Sequence, residues 1–179
     1  MSRLAKIAVE VPDKVKVTMD AQKIQMEGPK GKVEVKLPLN ITVELKDKKL
    51  MVNRKSNEKQ ARANQGSIRA HLANMVEGLM NGHKRELEIQ GIGFRAALQG
   101  KKITFNLGLS HPVEFEVPKE VEVKVPSQTS ILLESPDNIL VGQVAATIKA
   151  IKPVEPYKGK GIRYVGQFVR RKQGKSVTK

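Results

Sequence analysis

Apolar and polar residues alternate in short runs along most of the chain, and each such run predicts a half-buried strand. Val15, Val17 and Met19 make the first run. A turn at Asp20-Ala21-Gln22 leads to Ile24 and Met26, and that run stops at Gly28-Pro29-Lys30-Gly31, a basic hairpin tip. Val33, Val35 and Leu37 alternate up to Pro38, then Ile41, Val43 and Leu45 follow. Asp47-Lys48-Lys49 turns the chain into a short strand from Leu50 to Val52. The period then lengthens. Between Asn57 and Asn81, Ile68, Leu72, Met75, Val76, Leu79 and Met80 fall on one face of a helix. Ser56 or Asn57 is expected to cap its start and Gly82 its end. The front part, Glu58 to Gly66, lacks a clear stripe and reads as an irregular approach.

After Gly82 the strand pattern returns. Leu87 and Ile89 alternate, Gly91-Ile92-Gly93 interrupts as a bulge or tight strand crossing, and Phe94 to Leu98 resumes. Ile103, Phe105 and Leu107 face one way, and Gly108 to Pro112 is a loop. Val113, Phe115 and Val117 lead to Pro118, followed by Val121, Val123 and Val125, then by Ile131 to Leu133. Asp137 or Asn138 is placed to cap a helix carrying Val141, Val144, Ala145, Ile148 and Ile151, which Pro153 ends.

The two halves match. Val33, Pro38 and Val43 align with Val113, Pro118 and Val123 at a constant offset of 80. Gly66-Ser67-Ile68 aligns with Gly142-Gln143-Val144, and Leu72 with Ile148. This predicts an α+β chain of two tandem duplicated domains. Each is a mostly antiparallel sheet covered on one face by one helix. The expected bounds are 1–82 and 83–152, with a basic extension over 153–179.

Charge singles out that extension. The chain carries a formal +15 over 179 residues. From Lys152 onward there are nine Lys/Arg and one acid, Glu155, so +8 sits in the last 28 residues and +7 in the first 151. Such asymmetry points to an anionic partner, most simply a nucleic acid. Lysines and arginines neutralise phosphates. Gly159 and Gly161 allow close backbone approach. Tyr157 and Tyr164 are placed to stack on a base or ribose. The segment is expected to be irregular and ordered only against RNA, because its charge opposes docking on its own basic protein.

Other chemistry finds little support. There is no Cys, which excludes disulfides and thiolate metal sites and suits a reducing compartment. His71, His83 and His111 show no metal-ligand spacing, and only His111 sits in a loop suited to a partner contact. Gly159-Lys160 is not followed by the Ser or Thr that a phosphate loop needs, so nucleotide hydrolysis is rejected. The start has no signal-peptide core and no apolar run spans a membrane, so a cytosolic protein is expected. A free single-stranded nucleic-acid module would need more than six aromatics, and an enzyme acting on nucleic acid would need an acid cluster or metal set.

The run Glu155-Pro156-Tyr157-Lys158-Gly159-Lys160-Gly161-Ile162-Arg163-Tyr164 resembles the C-terminal signature of the bacterial large-subunit ribosomal protein L-six family. Gly91-Ile92-Gly93-Phe94-Arg95-Ala96, Leu107 to Val113 and Gly142 to Ala146 support it. Val154 departs, standing where the family has Pro. The resemblance covers essentially the whole chain. It implies a two-domain, non-enzymatic protein without cofactor or metal, and without homo-oligomer. It also implies binding to large-subunit ribosomal RNA near the sarcin–ricin loop and the base of the factor-binding stalk. Neighbouring ribosomal proteins and translation factors would then be close. The candidate RNA-binding residues are Tyr157, Lys158, Gly159, Lys160, Gly161, Arg163, Tyr164, Arg170, Arg171, Lys172 and Lys175, with Arg95 and His111.

Overall fold

A computed structural model describes residues 7–20 and 22–175; Ala21, inside the expected first turn, and residues 176–179 of the extension lie outside them. The elements run β1 (Val9–Glu10), β2 (Lys16–Met19), β3 (Lys23–Gly28), β4 (Gly31–Lys36), β5 (Ile41–Lys46), β6 (Lys49–Arg54) and α1 (Lys59–Asn81). The second series is β7 (His83–Gln90), β8 (Arg95–Gln99), β9 (Lys102–Asn106), β10 (Val113–Glu116), β11 (Glu122–Ser127), β12 (Ser130–Ser135), α2 (Asn138–Ile151) and β13 (Gly161–Tyr164). The chain divides into two compact units. One holds the described residues up to His83 together with Pro136–Asn138; the other holds Lys84–Ser135 and the described residues from Ile139 onward.

The first unit contains a meander, β2-β3-β4, and a second sheet in the order β1-β6-β5, paired antiparallel throughout. Alternation sends Ile24, Met26 and Val33 inward and leaves Gln25, Glu27 and Lys32 exposed. α1 packs over both sheets through Ile68, Leu72, Met75, Val76 and Leu79. The second unit repeats this plan. Its meander is β8-β9-β10, and its other sheet runs β11-β12-β7-β13. α2 contributes Val141, Val144, Ala145 and Ile148 to the core. The strand orders of the units correspond one to one except for β13, which is added beside β7. The α+β duplication expected from the offset of 80 is therefore present, with two small sheets in each copy where one was expected.

Three local expectations are corrected. The stretch from Lys59 to Gly66 is regular helix. Its first turns are held by Ala61, which is fully buried, and by the Gln65 amide, which donates to the Val52 carbonyl at 2.8 Å. A polar anchor leaves no apolar stripe to read. The cap position falls on Glu58, which makes no side-chain cap bond, while Asn57 accepts from the Arg54 guanidinium at 2.9 and 3.1 Å. Gly82 does close the helix, its N–H donating to the Gly78 carbonyl at 2.8 Å. Gly91-Ile92-Gly93 is neither bulge nor crossing but part of the turn from β7 to β8.

The largest correction concerns the extension, expected to be irregular until RNA orders it. Gly161 to Tyr164 pairs antiparallel with Gln90 to Leu87 as a strand of the second sheet. Ile162 is 0% exposed and belongs to the core of that unit. Repulsion between like charges is screened over about 10 Å at moderate salt, whereas the open edge of β7 offers backbone partners at contact distance. With Ile162 in the core, Ile162→Ala is expected to lower the unfolding free energy by about 2–5 kcal/mol in a urea titration. An unchanged midpoint would mean that the segment is a solvated tail.

Candidate nucleic-acid interface

Beyond α2 the chain folds into a loop closed by its own backbone. The Glu155 N–H donates to the Lys160 carbonyl at 2.8 Å, the Gly159 N–H to the Glu155 carbonyl at 3.0 Å, and the Ile162 N–H to the Lys152 carbonyl at 2.9 Å. Two glycines permit this. Gly159 takes φ +72°, which L side chains adopt at a cost. At Gly161 a Cβ would lie 2.7 Å from the Pro153 carbonyl oxygen and 2.9 Å from that of Lys152. Gly161 thus presses β13 against the chain leaving α2.

The register of β13 decides what lies beside this loop. Gly161 stands opposite Gln90, the residue before the Gly91–Phe94 turn. The Phe94 ring in turn lies on the loop from Gly108 to Pro112, where a Cβ at Gly108 would come within 3.2 Å of it. Three of the four stretches that carry motifs in the sequence therefore meet at one end of the second unit, the fourth, Gly142 to Ala146, lying in α2. The β11–β12 turn joins them: the Thr129 carbonyl accepts from the Ile89 N–H and the Gln128 carbonyl from the Ala96 N–H, both at 2.8 Å. Gln128 and Thr129 were not singled out in the sequence. They sit in a short polar turn without a motif, and only the strand pairing reveals their position.

The candidate residues separate into two groups. Tyr157 is 53% exposed. Lys158 is exposed and Lys160 half-buried, and among the described residues neither side chain has a hydrogen-bond or ion-pair partner. Arg170, Lys172 and Lys175 are exposed and likewise without side-chain partners among the described residues. The Lys172 N–H donates to the Pro156 carbonyl at 2.8 Å, which brings the later chain back onto the loop. Arg171 lays its guanidinium on Gly159, where a Cβ would stand 3.0 Å from Nε. Arg95, at the start of β8, and His111 are exposed beside the same end.

Arg163 and Tyr164 form the second group and are engaged within the unit. Arg163 donates through Nε to Glu88, its partner across the ladder, and the two side chains are only 19% and 30% exposed. The Tyr164 ring is half-buried with the Lys149 ammonium 4.9 Å from its centroid, a cation–π contact.

Five lysines of the first unit are instead neutralised by acids. Lys23 pairs with Glu34 at 3.7 Å, Lys32 with Glu27 at 3.1 Å, Lys46 with Glu44 at 2.9 Å and Lys49 with Glu10 at 3.2 Å; Lys48 pairs with Asp13. The Lys48 hydrogen bond and charge hold Asp13 below its usual range. Gln25 and then Lys23 do the same for Glu34, and Lys46 for Glu44, which raises Lys46 in return. These pairs are exposed and add little stability. Their effect is on the surface potential, which they flatten.

Among the described residues no group of His, Cys, Asp or Glu is arranged to hold a metal, and no helix is long and apolar enough to cross a membrane. His83 sits 2.9 Å from the Asn74 carbonyl through Nε2, an ordinary structural hydrogen bond. For the loop geometry the expected outcome is that Gly161→Ala lowers stability by about 1–3 kcal/mol, since it adds both strain and a clash. Gly174→Ala, with open space around it, leaves Tm unchanged. Equal Tm values for both variants would contradict the close approach.

Comparison with known proteins bears on the whole chain. A profile described as Ribosomal protein L6 matches residues 11–82 and again residues 90–165. The chain is 44% identical over 179 residues to the large ribosomal subunit protein uL6 of Synechocystis, covering 100% of each. It is 44% identical to the protein of that name from Trichormus variabilis, covering 98% of this chain and 97% of the relative. With the Lactobacillus gasseri protein of the same name the identity is 47%, over 98% of this chain and 99% of the relative.

Proposed function

The chain belongs to the ribosomal protein L6 family, whose members are structural proteins and not enzymes, and from that premise we propose how it acts. It is a constituent of the large ribosomal subunit in the cytoplasm. It binds large-subunit ribosomal RNA through the loop end of its second unit and the chain that follows. The bound RNA lies near the sarcin–ricin loop and the base of the factor-binding stalk, with neighbouring ribosomal proteins and translation factors close by. No cofactor or homo-oligomer is required.

One observation carries this reading: Lys158, Lys160, Arg170, Lys172 and Lys175 have no side-chain partners among the described residues, while five lysines of the first unit are ion-paired. Unpartnered cations held on a folded edge are a surface for phosphates, with little ordering cost on binding. Tyr157, Arg95 and His111 flank them, and Gly159 and Gly161 set the loop's shape. Arg163 is assigned the positioning of β13 through Glu88, in place of the phosphate contact expected of it, and Tyr164 packs beneath Lys149.

The test is RNA affinity against salt concentration. Replacing Lys158 and Lys160 together by Ala lowers affinity for all RNA sequences alike and reduces the salt slope by about 0.7–0.9 for each phosphate no longer neutralised. Replacing Lys46 and Lys48 in the first unit leaves the slope unchanged. A slope that responds to the second pair and not to the first would move the interface to the first unit.

A further inference from the structure

The sequence places two tyrosines in the extension as stacking candidates, yet the most exposed aromatic ring of the segment is neither. Phe168 is 88% exposed. Its position is set by the reversal after β13. The Val165 N–H continues the ladder by donating to the Glu86 carbonyl at 3.1 Å. The chain then turns at Gly166, the Gln167 N–H donating to the Tyr164 carbonyl at 3.0 Å and the Gln167 Oε1 accepting from the Tyr164 N–H at 3.4 Å. By Lys172 the backbone is bonded to Pro156. Phe168 therefore lies on a limb tied at both ends. Along this limb Gln167 and Val169 are half-buried while Phe168 and Arg170 are exposed, so the ring and the guanidinium share the outward side.

We propose that Phe168 is a stacking platform for one unpaired base of the bound RNA, a contact separate from the three-loop end, with Arg170 beside it on the flanking phosphate. The inference rests on the ribosomal-RNA reading given above. Charge decides the occupant. From Lys158 to Lys175 there are seven Lys/Arg and no acid, so whatever covers the ring also meets a dense array of cations. A protein pocket would have to supply an apolar cleft and enough carboxylates together. A single-stranded nucleotide supplies a π-face and a phosphate in each unit. Tyr164 is not available for the role because its ring is half-buried beneath Lys149.

The experiment uses the full chain and an in vitro transcript of large-subunit ribosomal RNA, with large subunits depleted of this protein as a second target. Phe168→Ala keeps the wild-type Tm and weakens transcript binding roughly 5- to 150-fold, the range for removing one base–aromatic stack, with the salt slope unchanged. Phe168→Trp restores binding, and Phe168→Leu, apolar but without a ring, does not. Wild-type affinity of Phe168→Ala for the transcript overturns the proposal. So does full rescue by Leu, and so does a loss confined to the depleted subunits, which would put the ring in a protein pocket. A wild-type chain that fails to bind the transcript overturns the proposed function together with this inference.

Discussion

The four backbone pairings between β13 and β7 would be weak on their own, because an isolated edge strand of four residues recovers little of its ordering entropy. What holds them is Ile162. Its burial in the second core is worth about 1.5–3 kcal/mol, and it fixes the register, since a slip of one residue would turn that side chain out to water. Arg163 to Glu88 then adds a half-buried, charge-assisted bond at the next rung. With the register set, the loop from Glu155 to Lys160 has only one place to be, and the chain beyond Tyr164 must reverse alongside it. Each unpartnered cation of the extension is thus displayed from a fixed frame.

That frame also explains how a chain of formal +15 can concentrate its chemistry. Lysines are distributed over both units, but in the first unit Lys23, Lys32, Lys48 and Lys49 lie opposite a glutamate or aspartate on an adjacent strand or turn, and Lys46 pairs with Glu44 along its own strand. Cross-strand placement does this almost automatically, because alternation lines up the outward residues of neighbouring strands. The extension escapes it. Its only acid is Glu155, and its single strand spends one arginine on Glu88. Among the described residues, Lys158, Lys160, Arg170, Lys172 and Lys175 stay without side-chain partners, which suits the extension to phosphate.

Much of this was legible in the sequence. Strand alternation, the helical period of Ile68 to Met80, the offset of 80 and the Tyr157 to Tyr164 run each report a local or repeated pattern, and local patterns survive translation into structure. What was not legible depended on partners far apart in the chain. The first turns of α1 rest on Gln65 bonding to Val52 and on buried Ala61, neither of which makes a stripe. The charge of the extension argued for a free tail, and nothing in its own residues announces that the edge of β7 lies open to receive Gly161 to Tyr164. The convergence of Gly91–Phe94, Gly108–Pro112 and Gln128-Thr129 is likewise a property of register, as is the withdrawal of Arg163 and Tyr164 into the unit.

Display of the cations from a fixed frame requires β13 to be folded before any RNA is present, and amide hydrogen exchange of the free protein measures that directly. The Ile162 N–H, bonded to Lys152, and the Val165 N–H, bonded to Glu86, should exchange with protection comparable to the amides of β7. Exchange of both at the rate of an unstructured chain, with protection appearing only when ribosomal RNA is added, would show that RNA and not Ile162 orders the extension.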